Sequence, residues 1–407
     1  MHTTVLKTAQ QTTSSTSRLL RSAVALAILC TPFTLQAQRY AYTGQVDNYI
    51  STGMPIILVS PDATAGAMAD IGAASLPDAN SAHWNNAKFA FIKDEMGLTT
   101  TYTPWLRHLQ VNDMNLLYIA GYKRINNRST VAASLTYFSL GNITSTNEEG
   151  ANQGTFKPNE FAFDVSYAMK LSDNFSLGAT GRFLHSDLTN GMDINSTSTK
   201  AANGLAADVG VYYQQEIDHN QSVAAGAHLS NVGSKLSYSD DDSHKEFLPT
   251  NLRIGGRYTY TIDNYNEINA MVDINKLLVP TPPVSDGDTT YSNYYPTWSA
   301  YEQTSSIQGL FRSFYDAPGG LKEELQEIQL SIGAEYWYAK IFAVRAGYFF
   351  EHKHKGGRQY LTIGGGVRYN MFHFDLAYLI PTTNFSQSPL ANTIRISISV
   401  NMAKEKK

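Results

Sequence analysis

The chain has 407 residues with 35 Asp and Glu against 31 Lys and Arg, a formal net charge of −4, which argues against a general polyanion binder and makes nucleic acid an improbable partner. Its one cysteine, Cys30, leaves no internal disulfide and no Cys-based metal or redox chemistry to consider. Past residue 37 there is no run of about 18 apolar residues, so no helix is expected to span a membrane and a membrane-embedded form has to be a barrel.

Lys7, Arg18 and Arg21 precede an apolar run from Ser22 to about Leu35, and Leu35-Gln36-Ala37 before Gln38 has the small-residue form of a cleavage site. Residues 1–37 are therefore expected to be a cleaved secretory signal. A lipoprotein at Cys30 is not expected, because Leu29 stands where a small residue is required. Loss of the three positive charges takes the mature chain from −4 to −7 and removes its cysteine, as in many bacterial envelope proteins.

Residues 38–96 come next, with GAMADIGAASLPDANSAHWNNAKFAF at 66–91. Gly, Ala, Ser, Asn and Asp dominate this stretch, the residues of close-packed irregular backbone rather than of a periodic element. It needs support from elsewhere.

From residue 97 to 402 the signal is alternation in segments of roughly ten residues, the mark of outer-membrane barrel strands. In IRISISV, Ile394, Ile396, Ile398 and Val400 oppose Arg395, Ser397 and Ser399; in FHFDLAYLI, Phe372, Phe374, Leu376 and Tyr378 oppose His373, Asp375 and Ala377. About fourteen such segments start near residues 97, 113, 129, 160, 174, 203, 219, 247, 264, 325, 340, 358, 371 and 391, and the connections between them are alternately short and long. That alternation is what periplasmic turns and extracellular loops produce. The fold class expected is all-β: an antiparallel outer-membrane barrel of about fourteen strands over residues 97–402, a plug over 38–96 inside it, a polar tail at 403–407, and both mature termini in the periplasm.

Strand parity sorts the charges. Asp164, Arg182, Asp208, Arg253, Arg257, Asp273, Glu335, Arg345, Arg368, Asp375 and Arg395 fall on the face opposite the apolar one and point into the lumen, since an arginine facing lipid near the midplane costs about 2–4 kcal/mol. Five acids face six arginines. That balance favours a structural ladder of opposite charges, with Arg368 on Asp375 and Asp375 on Arg395, over a charge-selective path.

Two loop clusters receive plain readings. Glu351-His352-Lys353-His354-Lys355 reads as a solvated hairpin loop, because two lysines repel the cation its histidines could ligate. Asp240-Asp241-Asp242 lacks the spacing and Gly of a calcium loop. The connection from about Leu277 to Glu324 is different, since loops beyond about 15 residues are usually functional. It carries Tyr291, Tyr294, Tyr295, Trp298 and Tyr301, then Ile307, Leu310, Phe311 and Phe314 at helical spacing, stopped by Asp316-Ala317-Pro318-Gly319-Gly320. Two readings of this helix stand at this stage: it caps its own barrel mouth, or its apolar face docks on another protein.

A barrel of this width needs filling, and the segment before its first strand is the natural plug. Asp78-Ala79-Asn80-Ser81 and Asn85-Asn86-Ala87 stand where the FadL family of outer-membrane barrels has D-A-x-S-like and N-P-A-like elements; Asn86 departs from the Pro of that family. Asp78, Asn80, Ser81, His83, Trp84 and Asn85 are the plug residues this resemblance selects. Over essentially the whole mature chain, SLPDANSAHWNNAKFAF, TYTPWLRHL, EFAFDVSYAMKLSDNFSLGATGRF and SFYDAPGG with LKEELQEIQLSIGAEYWY resemble the PorV (LptO) family, FadL-like proteins of the Bacteroidetes type IX secretion system.

The resemblance implies a cargo shuttle in the outer membrane. Its partners are the type IX translocon barrel, the C-terminal signal domains of cargo, the surface sortase and attachment complex, and outer-membrane lipid. No enzyme motif is present, neither G-x-S-x-G nor H-E-x-x-H nor a phosphate-binding G-x-x-x-x-G-K, so no catalytic residue, cofactor or metal is expected. The alternatives are a FadL-like transporter of hydrophobic small molecules, which needs an apolar lumen, and a lipopolysaccharide-modifying protein, which needs a nucleophile and base.

Overall fold

The computed structural model describes residues 48–146, 150–191, 198–240, 245–286, 289–291, 295, 297–383 and 390–402. The expected signal with Cys30, the residues Asp241, Asp242 and Tyr294, and the tail at 403–407 lie outside the described residues.

Fourteen strands close into one antiparallel barrel. They are β1 (Met96–Pro104), β2 (Met114–Arg124), β3 (Ser129–Leu140), β4 (Asn159–Lys170), β5 (Phe175–Asp187), β6 (Ala202–Asp218), β7 (Gln221–Gly233), β8 (Asn251–Thr261), β9 (Asn266–Leu277), β10 (Ile328–Tyr338), β11 (Phe342–Phe350), β12 (Gln359–Tyr369), β13 (Phe372–Pro381) and β14 (Ile394–Met402). The seam pairs β1 with β14, Met96 opposite Met402 and Tyr102 opposite Ile396. Closure leaves no edge to satisfy in lipid. Strand starts read from alternation fall close to these, with the largest displacement at β8: Phe247 to Thr250 are apolar enough to mimic a strand start but belong to the packed loop before it.

The outer wall is apolar and exposed, with Leu205, Val209, Val344, Ile363 and Ile398 pointing outward. Tyr260, Tyr265, Tyr338, Phe342, Tyr369 and Phe372 form an exposed aromatic girdle at the short-turn end, the level of a membrane interface. The inner wall is the reverse of a soluble core: Thr99, Ser166, Thr180, Asn269, Ser331 and Ser397 are buried there. The connections within 125–128, 171–174, 219–220, 262–265, 339–341 and 370–371 are tight turns; the opposite end carries the long loops, including 141–158, 234–250 and 278–327. By the asymmetry of outer-membrane barrels, the short turns face the periplasm.

Inside the wall lies the segment from Asn48 to Asp94. It contains two single-turn helices, α1 (Ala63–Gly66) and α2 (Ser81–Trp84), and two 3-10 helices, at Pro55–Leu58 and Asn86–Phe91. Met54, Ile56 and Ile57 pack with Trp105, Leu116, Phe138 and Leu184 toward the long loops, and Phe89 and Phe91 pack with Tyr122 and Tyr212 toward the short turns. These two apolar layers bracket a polar middle.

Candidate functional site

The middle of the plug is organised by Asp62. Its Oδ1 caps α1 by accepting from Ala65 N at 2.9 Å, and its Oδ2 accepts from Trp84 Nε1 at 2.5 Å. Trp84 is buried under the guanidinium of Arg253, which lies 4.6 Å from the ring centroid, and His83 packs edge-on to it. Asp78 accepts from Asn80 Nδ2 at 2.9 Å and from Ser81 Oγ at 3.2 Å, and its N–H donates to Ser81 Oγ at 3.1 Å, a side-chain network just before α2. Asn85 donates to Ala73 O at 2.8 Å and to Val211 O of β6 at 3.0 Å, and its Oδ1 accepts from Ala87 N. Asn86, the departure from the broader family's Pro, uses its side chain to reach Thr180 Oγ1 of β5 at 2.8 Å. It is a wall anchor that Pro could not supply.

The wall makes room for the plug with glycine. A methyl group at Gly178 or Gly210 would collide with Asn86, at Gly226 with the Ala73 carbonyl, and at Gly347 with the backbone of Met68 and Ala69. These glycines sit at inward parity on β5, β6, β7 and β11, where the missing Cβ lets two backbones touch. The signal was present in the sequence as an inward glycine in strand after strand, and alternation counting passed over it.

Polar side chains of the wall then grip plug backbone. Asp273 Oδ2 accepts from Gly72 N and Ala73 N at 2.7 and 2.9 Å, Arg253 Nη1 donates to Asp70 O at 2.6 Å, Thr362 Oγ1 accepts from Ala69 N at 2.8 Å, and Ser397 Oγ accepts from Ala63 N at 2.9 Å. Ala69 and Asp70 have φ of 56° and 63°, a left-handed pair that non-glycine residues adopt at a cost. Tyr360, whose hydroxyl donates to Asp70 Oδ2 at 2.6 Å, adds a third restraint. Asp62, Asp70 and Lys88, the last fully buried with its Nζ 2.8 Å from Ser75 Oγ, are functional plug residues that strand parity could not reveal.

The lumen charges form two clusters rather than one ladder. Arg182 bonds both oxygens of Asp164, at 2.7 and 3.0 Å, contacts Asp208 Oδ2 at 3.0 Å and also donates to Asn231. Arg345 bridges Glu335 at 2.6 Å and Asp375 at 2.7 Å. Arg253 and Asp273 lie 3.5 Å apart and both serve the plug. The expected pairs of Asp375 with Arg368 and with Arg395 do not form. Register decides this: Asp375 stands opposite Gly366 and Ser397, and the bare Gly366 lets Arg345 reach across from β11. Arg368 instead lies over Trp337, 4.3 Å from its centroid, and Arg395 donates to the plug at Ser60 O. Arg257 contacts Tyr212 OH at 3.4 Å. Between plug and short turns remains a cavity of about 1570 Å³, lined among others by Asp78, Glu95, Arg257, Glu335 and Arg368. Phe91, Met271 and Trp337 share that lining, so its walls mix charged and apolar side chains.

At the opposite mouth, α3 (Trp298–Glu302), α4 (Ser306–Arg312) and α5 (Leu321–Gln326) build a cap from the longest loop. α4 is short, N-capped by Ser305. Leu310 and Gly309 turn inward, Gly309 against Pro280 and Phe247, whereas Ile307 and Phe311 on α4 and Phe314 just after it are 56%, 64% and 47% exposed. Asp316 and Pro318, expected among the partner-binding residues, are buried: Asp316 accepts from Thr281 N at 3.3 Å and Tyr295 OH at 3.0 Å. They hold the turn together, with Gly320 at φ 65° and Gly319 N donating to Glu323 Oε2 at 2.6 Å. The 351–355 segment is likewise no freely solvated loop. Glu351 is buried against Arg358, and Lys355 Nζ reaches Glu323 at 2.5 Å and Glu327 at 3.0 Å.

The cap clasp is rich in acids. Lys276 meets Glu327 at 2.6 Å and Glu324 at 3.0 Å, and Glu324 also accepts from Ala317 N. Burial, followed by the charge of Glu327, pushes Glu324 up to about 7; burial pushes Asp316 up to about 6. A carboxyl raised on folding favours the folded cap below its ordinary range, and that contribution is lost as pH rises through 6 to 7. Hydrogen exchange of the 316–327 backbone should therefore be slower at pH 5 than at pH 8, by roughly tenfold after correction for intrinsic rates. Equal protection at both values, or the reverse order, would show that the clasp does not titrate.

The toluene transporter TodX of Pseudomonas putida matches this fold with a TM-score of 0.52 at 11% identity, covering 89% of this chain and 100% of that one. The Ralstonia pickettii toluene transporter TbuX gives 0.46 at 13% identity, covering 85% and 99%, and a Pseudomonas aeruginosa FadL homologue gives 0.44 at 13%, covering 88% and 100%. No curated protein matches the chain by sequence. At such identity the TodX likeness speaks to the fold alone: an outer-membrane barrel of the FadL type. The family model described as type IX secretion system protein PorV matches residues 42–284, more than half of the chain, and with a plugged fourteen-stranded barrel around that span the chain belongs to the PorV family.

Proposed function

We propose that the barrel is a protein-handling subunit of the type IX secretion system, which takes cargo by its C-terminal signal domain from the translocon barrel and passes it to the sortase-containing attachment complex at the cell surface. The observation that carries this reading is the contrast between the two faces of the molecule. The bore is filled by a plug hydrogen-bonded to the wall, while the outer cap presents Ile307, Phe311 and Phe314 to its surroundings. Such a barrel offers a surface rather than a passage, and exposed aromatics on a rigid helix are the usual anchors of protein interfaces. Uptake of hydrophobic small molecules needs a continuous apolar route, and buried arginines and carboxylates interrupt the interior here. The reading assigns the barrel no catalysis and no cofactor.

Pull-down from envelope extracts with a C-terminal tag tests it. The native protein should recover a very large barrel subunit and cargo bearing C-terminal signal domains. Phe311→Ala with Phe314→Ala should reduce that recovery; an anchor truncation costs about 2 kcal/mol, roughly thirty-fold in affinity. The variant barrel should remain heat-modifiable on gels. Full recovery by the folded double variant would confine α4 to capping its own barrel, and recovery of neither partner by the native protein would remove the shuttle reading.

A further inference from the structure

Asn48 lies at the long-loop end of the barrel. Asn48 Nδ2 donates to Pro282 O and to Glu323 Oε1, both at 3.2 Å, and Gly53 N donates to Phe247 O at 2.9 Å. Pro282, Glu323 and Phe247 all belong to long loops. A few residues on, Ile56 and Ile57 lie in the apolar layer with Leu236 and Leu248 of the loop between β7 and β8. Ser60 and Ala63 are bonded to Arg395 and Ser397, Gly72 to Asp273, and Ala87 O accepts from Ser176 Oγ at 2.8 Å. Glu95 N then donates to Met402 O at the short-turn end. Asn48 to Gly53 thus sit at the long-loop end and Glu95 at the short-turn end, and between them the segment folds back on itself, Trp84 bonding Asp62 and Asn85 bonding Ala73.

We infer that the plug enters its own barrel from the cell-surface side of the outer membrane, with Asn48 seated among the extracellular loops and Glu95 at the periplasmic end, where the C-terminal strand also ends. The geometry carries an assembly consequence. An exported chain enters the periplasm N-terminus first, and β1 pairs directly with β14, so the barrel has to close around a plug whose leading end is already directed outward. Tyr49 and Ser51 also help line a groove of about 440 Å³ with Phe247, Pro282 and Tyr301 at the long-loop end.

Because the mature chain is expected to lack cysteine, single thiols report sidedness without background. Three variants are labelled with a membrane-impermeant maleimide on intact and on permeabilised cells: Tyr49→Cys, with Tyr49 50% exposed, Thr155→Cys in a long loop, and Asn127→Cys in a short turn. The expected result is labelling of Tyr49→Cys on intact cells, matching Thr155→Cys, with Asn127→Cys reacting only after permeabilisation. Labelling of Tyr49→Cys that requires permeabilisation, with Thr155→Cys still reactive on intact cells, overturns the inference and keeps the barrel orientation. Exchange of the Thr155→Cys and Asn127→Cys patterns overturns the orientation itself.

Discussion

Arg182→Met destabilises the barrel by about 3–5 kcal/mol, seen as a lower temperature for its conversion to the unfolded band on gels, because the substitution strands two buried carboxylates. Asp164 and Asp208 are 3% and 1% exposed, and Arg182 is the cation in contact with both, on three adjacent strands. Ser134 and the Asn231 backbone, each donating to one of these acids, cannot balance the charge. Removing all three members should cost less than removing the arginine, since the penalty lies in the uncompensated charge rather than in the lost attraction. Arg182→Met with Asp164→Asn and Asp208→Asn is therefore expected to recover part of the stability. A single variant that melts with the native protein would mean that water reaches this cluster, and a triple variant no better than the single one would mean that the hydrogen bonds matter more than the charge.

Trp84→Ala should unseat the plug while leaving the strand ladder paired. The indole fills the space between α1, α2 and Arg253, and its Nε1 donates to a fully buried Asp62, so truncation combines a cavity of the kind that costs about 3–5 kcal/mol with the loss of a donor to a buried carboxylate. The plug is held by many single hydrogen bonds to the wall, and each is worth only about 1 kcal/mol net. Losing the central wedge shifts that balance. In planar bilayers the native barrel should conduct poorly, the alanine variant should show frequent or sustained openings, and Trp84→Phe, which keeps an aromatic ring but loses the donor and part of the indole volume, should fall between. Native-like conductance and melting of the alanine variant would show that the grip of Asp273, Arg253 and Thr362 suffices without the tryptophan.

Much of this molecule was readable before any coordinates. The Asp164, Arg182 and Asp208 set could be placed inside because a period of two leaves a charge no third option in a membrane strand: it faces lipid or it faces the lumen. The same rule located the strands and, through the short and long connections, the two ends of the barrel. The exposed face of α4 was half legible. Ile307 and Phe311 share a helical face, but whether that face looks inward or outward depends on which side Pro280 and Phe247 occupy, and those residues are distant in sequence or belong to another loop.

What the sequence determined by itself is whatever follows from local periodicity: strand parity, the inside position of eleven charges, and the turn residues that stop each strand. What the tertiary structure alone decided is who meets whom. The partners of Asp375 depended on a register that puts Gly366 opposite it, the burial of Asp316 on contacts with Thr281 and Tyr295, 35 and 21 positions earlier in the same loop, and the seat of Asn48 on contacts with residues 234 and 275 positions away. Periodicity says which way a side chain points. It carries no information on how far the neighbouring strand has slid or on which direction a non-periodic plug runs, since those are set by packing among segments that meet only once the barrel has closed.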